Sequence, residues 1–261
     1  QVRIVAPEAK KTAHHKDVIY VPALQNFNGS DFSMVLPVPL ALTGPLKDFS
    51  PEIIHSHHPF LLGDSALRIA TYLNKPLVFT YHTRYEHYTH YVPVESPRIK
   101  EFVIDLATSY CNLCDHIIAP TDSLKQQLIQ RGVQSSITVI PTGIDLQRFH
   151  PGDQSAARRA LGLPEKGWIV GHMGRLTTEK NCAFLAQAVA AFLAKTSETY
   201  FFVAGAGGEE QKIRQIFNEQ GLGNRLLMPG LLHGNEVIKA YQAMNVFAFA
   251  SQTETQGIVL A

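Results

Sequence analysis

Arg175 and Lys180 lie five positions apart in Gly174-Arg-Leu-Thr-Thr-Glu-Lys-Asn181, directly behind the apolar run Trp168-Ile-Val-Gly-His-Met173. Two cations in one loop can clamp both phosphates of a leaving diphosphate, arginine by its planar fork and lysine as a point charge. Gly174 permits the tight turn that such a loop needs at a strand end. Taken by themselves, the two residues read first as solvated loop cations. A second stretch, Ser251-Gln-Thr-Glu-Thr-Gln-Gly-Ile-Val-Leu-Ala261, follows the apolar run Val246-Phe-Ala-Phe-Ala250. It predicts a buried strand, a polar turn and a helix starting near Gln256. The N–H groups of Gly257, Ile258 and Val259 then stand at a helix N-terminus, which favours an anion such as a pyrophosphate. Glu254, one turn earlier, is repelled by that anion and suits hydroxyls, so the combination points to a sugar joined to a diphosphate. An acidic surface loop capping an ordinary helix is the plainer alternative.

Six of the twelve histidines fall between positions 55 and 90. His55-Ser-His57-His58 follows one predicted strand, and Thr80-Tyr-His82-Thr-Arg84-Tyr-Glu86-His87-Tyr88 closes the next. His82 ends a buried strand beside Thr80 and Thr83, where a neutral imidazole can donate to a substrate hydroxyl or carbonyl. His57 is assigned to the same crevice. His82, His87 and His90 lack the i, i+4 pairing around a helical glutamate, so no zinc signature is present. Tyr81, Tyr85, Tyr88 and Tyr91 suit either stacking on a sugar or lipid mouth, or the rim of an apolar core. Cys111-Asn-Leu-Cys114 is a lone CxxC and reads as a pair of buried thiols. Gly205-Ala-Gly207-Gly208 predicts a close-approach turn, without a complete GxGxxG.

Short apolar strands alternate with helical stretches and must position these groups. Strands are predicted at 2–6, 18–21, 53–55, 77–81, 116–119 and 137–140, with helices at 61–73, 97–112 and 122–131. After a Pro- and Gly-rich segment at 141–151, strands follow at 168–172, 200–204, 226–228 and 246–250, with helices at 181–195, 208–219 and 235–243. A polar helix is also predicted at 153–161. Such βαβ alternation means parallel sheets covered by helices, with ligands at the C-terminal ends of the strands. The segment at 141–151 places a domain boundary near residue 150, giving domains 1–150 and 151–261.

The formal net charge is +1, from 23 basic and 22 acidic residues, and neither half has the basic surplus of a nucleic-acid binder. No apolar run approaches the roughly 20 residues of a membrane span, so a soluble or peripheral protein is expected. Three cysteines, an odd number, argue for a reducing compartment. The chain opens directly in a strand, without an initiator methionine or leader, and ends in a helix barely begun. It therefore reads as a piece of a longer protein, expected to expose apolar surface at both ends.

Taken together, HSHHPFLLG, FTYHTRYEHYTHYVP, IPTGIDLQRF, GRLTTEKN, VAGAGGEE and SQTETQGIVLA resemble the retaining glycosyltransferase family 4 across essentially the whole chain. The resemblance implies an α/β GT-B architecture of two Rossmann-like, doubly wound domains facing a central cleft, both incomplete. It makes Gly174, Arg175, Lys180 and the amides of Gly257, Ile258 and Val259 the donor-binding set. Glu254 matches the first of the paired glutamates, binding sugar hydroxyls, and His82 the active-site histidine. His57, Tyr81 and Tyr85 fall on the acceptor side. The family's first strand, glycine-rich loop and first helix should precede Gln1, and its second paired glutamate should follow Ala261. The stretch 79–93 is most similar to the branch that glycosylates diacylglycerol.

The implied activity is retaining hexosyl transfer from a nucleotide sugar, UDP-glucose, to a lipid acceptor. No tightly bound cofactor and no divalent metal is required by any motif. A cytoplasmic location with peripheral contact at the inner membrane face follows from the lipid acceptor. A soluble sugar acceptor with a UDP- or GDP-sugar, a GT-B epimerase and a non-catalytic binding module are the alternatives. Front-face attack, with the leaving phosphate taking the acceptor's proton, is the expected route, with closure about 141–151 excluding water.

Overall fold

The computed structural model describes residues 1–8, 15–24, 34–35, 39–89 and 96–261. They divide into two compact units, Gln1–Thr142 and Gly143–Ala261. His90, Tyr91 and the rest of 90–95 lie outside the described residues.

In the first unit, β1 (Ile4–Pro7) pairs in parallel with β2 (Val18–Val21), and the short strands β3 (Ala23–Leu24) and β4 (Met34–Val35) form an antiparallel pair. After α1 (Pro39–Phe49) come β5 (Ile54–Ser56), α2 (Leu62–Leu73), β6 (Leu77–Thr80), α3 (Pro97–Leu113), β7 (His116–Ala119), α4 (Asp122–Gln130) and β8 (Ile137–Val139). Strands β5 to β8 form a parallel sheet in sequence order. Ser96 and Thr121 cap α3 and α4 through side-chain oxygens that accept from Ile99 and Leu124 N–H, which places these helix starts where the sequence does. Helix α1 is absent from the sequence reading, because Gly44 and Pro45 argue against any helix there. It forms because Leu42 and Leu46, four apart, bury into a core with Val21 and Ile69.

That core includes Val5 and Ile19 from one sheet and Ile54 from the other, yet among the described residues no ladder joins β1 to β5. A cavity of about 580 Å³ lies between them, lined by Ile4, Val5, Ile54, His55, Leu62 and Ile69 among others. Val2, Ile4 and Ile53 near it are 74%, 51% and 59% exposed, so the two strand edges are separated by apolar surface.

The second unit runs α5 (Gln154–Ala160), β9 (Trp168–Met173), α6 (Cys182–Leu193), β10 (Thr199–Ala204), α7 (Glu210–Glu219), β11 (Leu226–Gly230), α8 (Asn235–Ala243) and β12 (Val246–Phe247). All four strands are parallel, in the order β11-β10-β9-β12. The chain steps outward from β9 through β10 to β11 and then returns to the other side of β9. This reversal puts a topological switch point between β9 and β12, where an open α/β sheet forms its ligand crevice. Helix α5 is polar in sequence, but Arg158 is buried and donates to the carbonyl oxygens of Ala243, Glu165 and Gly167 and to Asn245 Oδ1. The stretch beyond β12 stays extended, with the Ala248 amide on Gly171 oxygen.

The predicted helix at Gln256 does not form as an α-helix. Gly257 adopts a left-handed conformation, φ 65°, and Ile258–Leu260 make one 3-10 turn closed by Leu260 N–H on Gly257 oxygen.

Candidate functional site

The parallel register Ser56 to Phe79 sets the C-terminal ends of β5 and β6 side by side. His55 Nε2 lies 2.7 Å from Thr80 Oγ1, and His57 Nδ1 lies 2.9 Å from His82 Nε2. The ring of His57 is 4.3 Å from that of His55 and 5.1 Å from that of His82. Burial lowers the pKa of all three imidazoles, and for His55 and His82 the charge of the neighbouring ring lowers it further. The group is therefore uncharged at neutral pH and can donate or accept a hydrogen bond.

Tyr81 and Tyr85 are placed differently from the acceptor-side role given them by resemblance. They are 1% and 7% exposed and pack edge to face with each other, Tyr81 also with Phe79, in the core under the histidines. The alternation of the strand decides this, since Phe79 and Tyr81 share one face while His82 emerges at the end. Cys111 and Cys114 are buried free thiols, both pushed up to about 12, first by burial. Among the described residues no three of His, Cys, Asp and Glu are grouped to hold a metal ion.

In the second unit the switch point collects Gly174, Arg175, Lys180 and Glu254. Gly174 has φ 151°, a conformation that side chains rarely adopt, and its turn is tied to the β10 end by Gly174 N–H on Ala204 oxygen and Leu176 N–H on Ala206 oxygen. The glycines after β10 do make a close approach, and the neighbour is this turn. A Cβ on Gly205 would strike Gly174 oxygen, and one on Gly207 would strike Leu176 oxygen.

Both cations are paired with carboxylates. Arg175 Nη2 is 3.2 Å from Glu179 Oε1, and Lys180 Nζ is 2.5 Å from Glu254 Oε1, which also accepts from Ser251 Oγ at 2.8 Å. Burial by itself raises the Glu254 pKa, but the bonds from Lys180 and Ser251 and the charges of Lys180 and Arg175 hold it below the usual carboxylate range. Asn181, left-handed at φ 57°, donates to Ala250 oxygen and anchors the loop to the segment that leads from β12 to Glu254. Gly257, Ile258 and Val259 sit in the short turn already described.

Residues 1–148 match the description Glycosyltransferase Family 4, and residues 153–261 match Glycosyl transferases group 1. The chain belongs to glycosyltransferase family 4. This family member is 25% identical to the alpha-monoglucosyldiacylglycerol synthase of Acholeplasma laidlawii, over 99% of this chain and 68% of that one. It is 26% identical to the GDP-mannose-dependent alpha-mannosyltransferase of Corynebacterium glutamicum, over 97% of this chain and 59% of the relative. The chain thus spans about two thirds or less of these relatives' length. Among solved structures, Anabaena HepE in complex with UDP and glucose aligns with a TM-score of 0.70 at 20% identity, over 93% of this chain and 63% of that one. At that identity the likeness establishes the fold, the GT-B type built from two Rossmann-like domains.

Three residues beside these groups carry no role in the sequence reading. Glu179, 8% exposed, stands against Arg175, and Ser251 orients Glu254. His172 is buried in β9 with Nδ1 3.1 Å from Ala248 oxygen. Its only signal in the sequence is an imidazole inside an otherwise apolar strand.

Proposed function

We propose that the protein is a retaining hexosyltransferase that moves a hexose from a nucleotide sugar, UDP-glucose, to a lipid acceptor such as diacylglycerol. The observation that carries this is the convergence of Arg175, Lys180 and Glu254 at the β9/β12 switch point, two cations and a carboxylate where a sugar diphosphate needs them. The donor is assigned to 151–261 and the acceptor side to 1–150. The bond between the anomeric carbon and the phosphate oxygen breaks with its electron pair on the phosphate, whose growing charge Arg175 and Lys180 stabilise. The acceptor oxygen bonds to the same face of that carbon, and its proton passes to the leaving phosphate. Glu254 accepts from sugar hydroxyls, and His82, held by His57, offers a neutral imidazole to the transferred sugar. The backbone amides of Gly257, Ile258 and Val259, with the Gly174 turn, complete the phosphate contacts. No step calls on a divalent metal.

The lipid acceptor is supported by the similarity to an alpha-monoglucosyldiacylglycerol synthase, and the relative named a GDP-mannose-dependent alpha-mannosyltransferase supports a GDP-linked donor as the alternative. Among the described residues no helix is long and apolar enough to cross a membrane. A lipid acceptor implies contact with a membrane surface, which we place at the cytoplasmic face where nucleotide sugars are available. Incubating the protein with a panel of nucleotide sugars and with lipid or sugar acceptors, then determining product mass and anomeric configuration, tests the reading. Transfer only to soluble sugars, with no binding to anionic vesicles, overturns the lipid assignment, and turnover of the donor without any acceptor indicates an epimerase.

A further inference from the structure

His172, the fifth residue of β9, is 2% exposed. The Ala248 carbonyl oxygen beside Nδ1 can only accept, so Nδ1 carries the proton and donates. In the neutral imidazole Nε2 is then a bare lone pair. That atom is buried with no hydrogen-bond partner among the described residues, in a ring flanked by Phe247 and Phe249 at centroid distances of 6.1 and 6.4 Å. Leaving a buried acceptor unpaired costs about 1–3 kcal/mol, so a donor that reaches it in another state would be stabilising.

The neighbouring loop offers a candidate donor. Gly174 presents no side chain, and Nε2 is the nearest heavy atom, at 4.0 Å, to the point where its Cβ would stand. The space beside Nε2 is therefore the space under the Gly174 turn. Lys180 carries the charge that acts on this ring, and the next residue, Asn181, donates to Ala250 oxygen, two residues beyond the carbonyl that holds His172. Burial lowers the His172 pKa, the bond to Ala248 partly restores it, and the positive charge of Lys180 lowers it again. The imidazole thus stays neutral and Nε2 stays an acceptor.

We propose that His172 is a positioning residue for Lys180, whose ammonium moves from Glu254 Oε1 to His172 Nε2 when a nucleoside diphosphate enters the site. The inference rests on the donor-site reading above. An ammonium has three N–H groups but one charge. Paired with Glu254, that charge is largely cancelled at the place where the diphosphate needs it. Held by a neutral imidazole, the ammonium keeps both its place and its full charge, and Glu254 is released for sugar hydroxyls. No proton is transferred: Lys180 remains an ammonium and Nε2 remains unprotonated.

The test is nitrogen NMR of the histidine-labelled protein titrated with UDP, the His172 signals being assigned by their loss in His172→Phe. The expected result is an Nε2 resonance at the unprotonated position that shifts upfield as UDP saturates, with no such shift in Lys180→Met. In parallel, His172→Phe and Lys180→Met should each weaken UDP binding about tenfold, as for one hydrogen bond to a charged group. The double variant should be no weaker than the weaker single one, because both changes remove the same interaction. UDP binding with an unmoved Nε2 signal, or strictly additive losses, overturns the inference and leaves the donor site standing. Failure of the wild type to bind UDP at all overturns both.

Discussion

The histidines of the first unit and the charged residues of the second occupy equivalent places, the C-terminal ends of adjacent parallel strands, and their electrostatics are opposite. His55, His57 and His82 lie among one another with lowered pKa values and are kept neutral by burial and mutual repulsion. Arg175 and Lys180 keep their charges and spend them on Glu179 and Glu254. A neutral group can meet either a hydroxyl donor or an acceptor without reorganisation, which suits recognition of sugar or acceptor oxygens. A paired group must exchange partners when an anion arrives, so the diphosphate competes with carboxylates already in place. The first unit also holds an ion pair, Arg131 Nη2 to Glu86 Oε1 at 2.5 Å, but both side chains are largely buried, at 15% and 9% exposure. That pair belongs to the scaffold beneath the histidines, since Glu86 lies in the turn Tyr85–His87 just behind His82.

Breaking the scaffold pair gives the largest expected effect. Arg131→Leu leaves the buried Glu86 carboxylate with the His87 ring, 4.0 Å away, in place of a guanidinium and should cost about 3–5 kcal/mol of stability, read from denaturant unfolding. A loss below about 1 kcal/mol shows that the pair behaves as a surface one. Next comes Arg175→Ala, which removes a charge aimed at the leaving phosphate and should cost about 2–4 kcal/mol in kcat/KM with little change in melting temperature. Activity within a few-fold of wild type takes Arg175 out of the site. Ser251→Ala deletes one of two donors to Glu254 Oε1 and should cost about 0.5–1.5 kcal/mol in donor recognition, seen as a rise in KM for the nucleotide sugar. A change confined to stability instead assigns Ser251 to the loop alone.

The smallest effect tests the neutrality of the histidines. His55, His57, His58 and His82 in the first unit have pKa values lowered from 6.5, against His172 alone in the second. A base with a depressed folded pKa contributes stability that is complete above its unfolded value and is lost as pH falls through the folded one. The melting temperature should therefore hold above pH 6.5 and drop by about a few degrees on acidification to about pH 5.5. His57→Gln, which removes one titrating ring, should reduce that drop. A melting temperature that rises on acidification contradicts the neutral cluster.

Much of the scaffold is legible in the chain because βαβ alternation is a local pattern. Helix α8 falls at Asn235–Ala243 as read, and β2 and β7 fall where the apolar runs place them. Helix α1 is not legible, since Gly44 and Pro45 argue locally against the helix that Leu42 and Leu46 stabilise by burial. Tyr81 and Tyr85 show the same limit at the site, because a tyrosine at a strand end has equal claim to core and crevice until packing chooses.

What the sequence determined by itself is the inventory and its order: two cations after one strand, a glutamate after another, histidines after a third and fourth, with glycine where the backbone must turn sharply. Such features depend on residue type and on spacings of a few positions. Which groups meet was decided only by the tertiary structure. Lys180 and Glu254 are 74 positions apart and His57 and His82 are 25 apart, and each pair is in contact because two parallel strands lie side by side. The bare Nε2 of His172 is likewise a product of that adjacency, since a carbonyl 76 residues away dictates which ring nitrogen holds the proton. Local chemistry can select the side chains, but charge pairing and tautomer follow from through-space neighbours, which strand order sets.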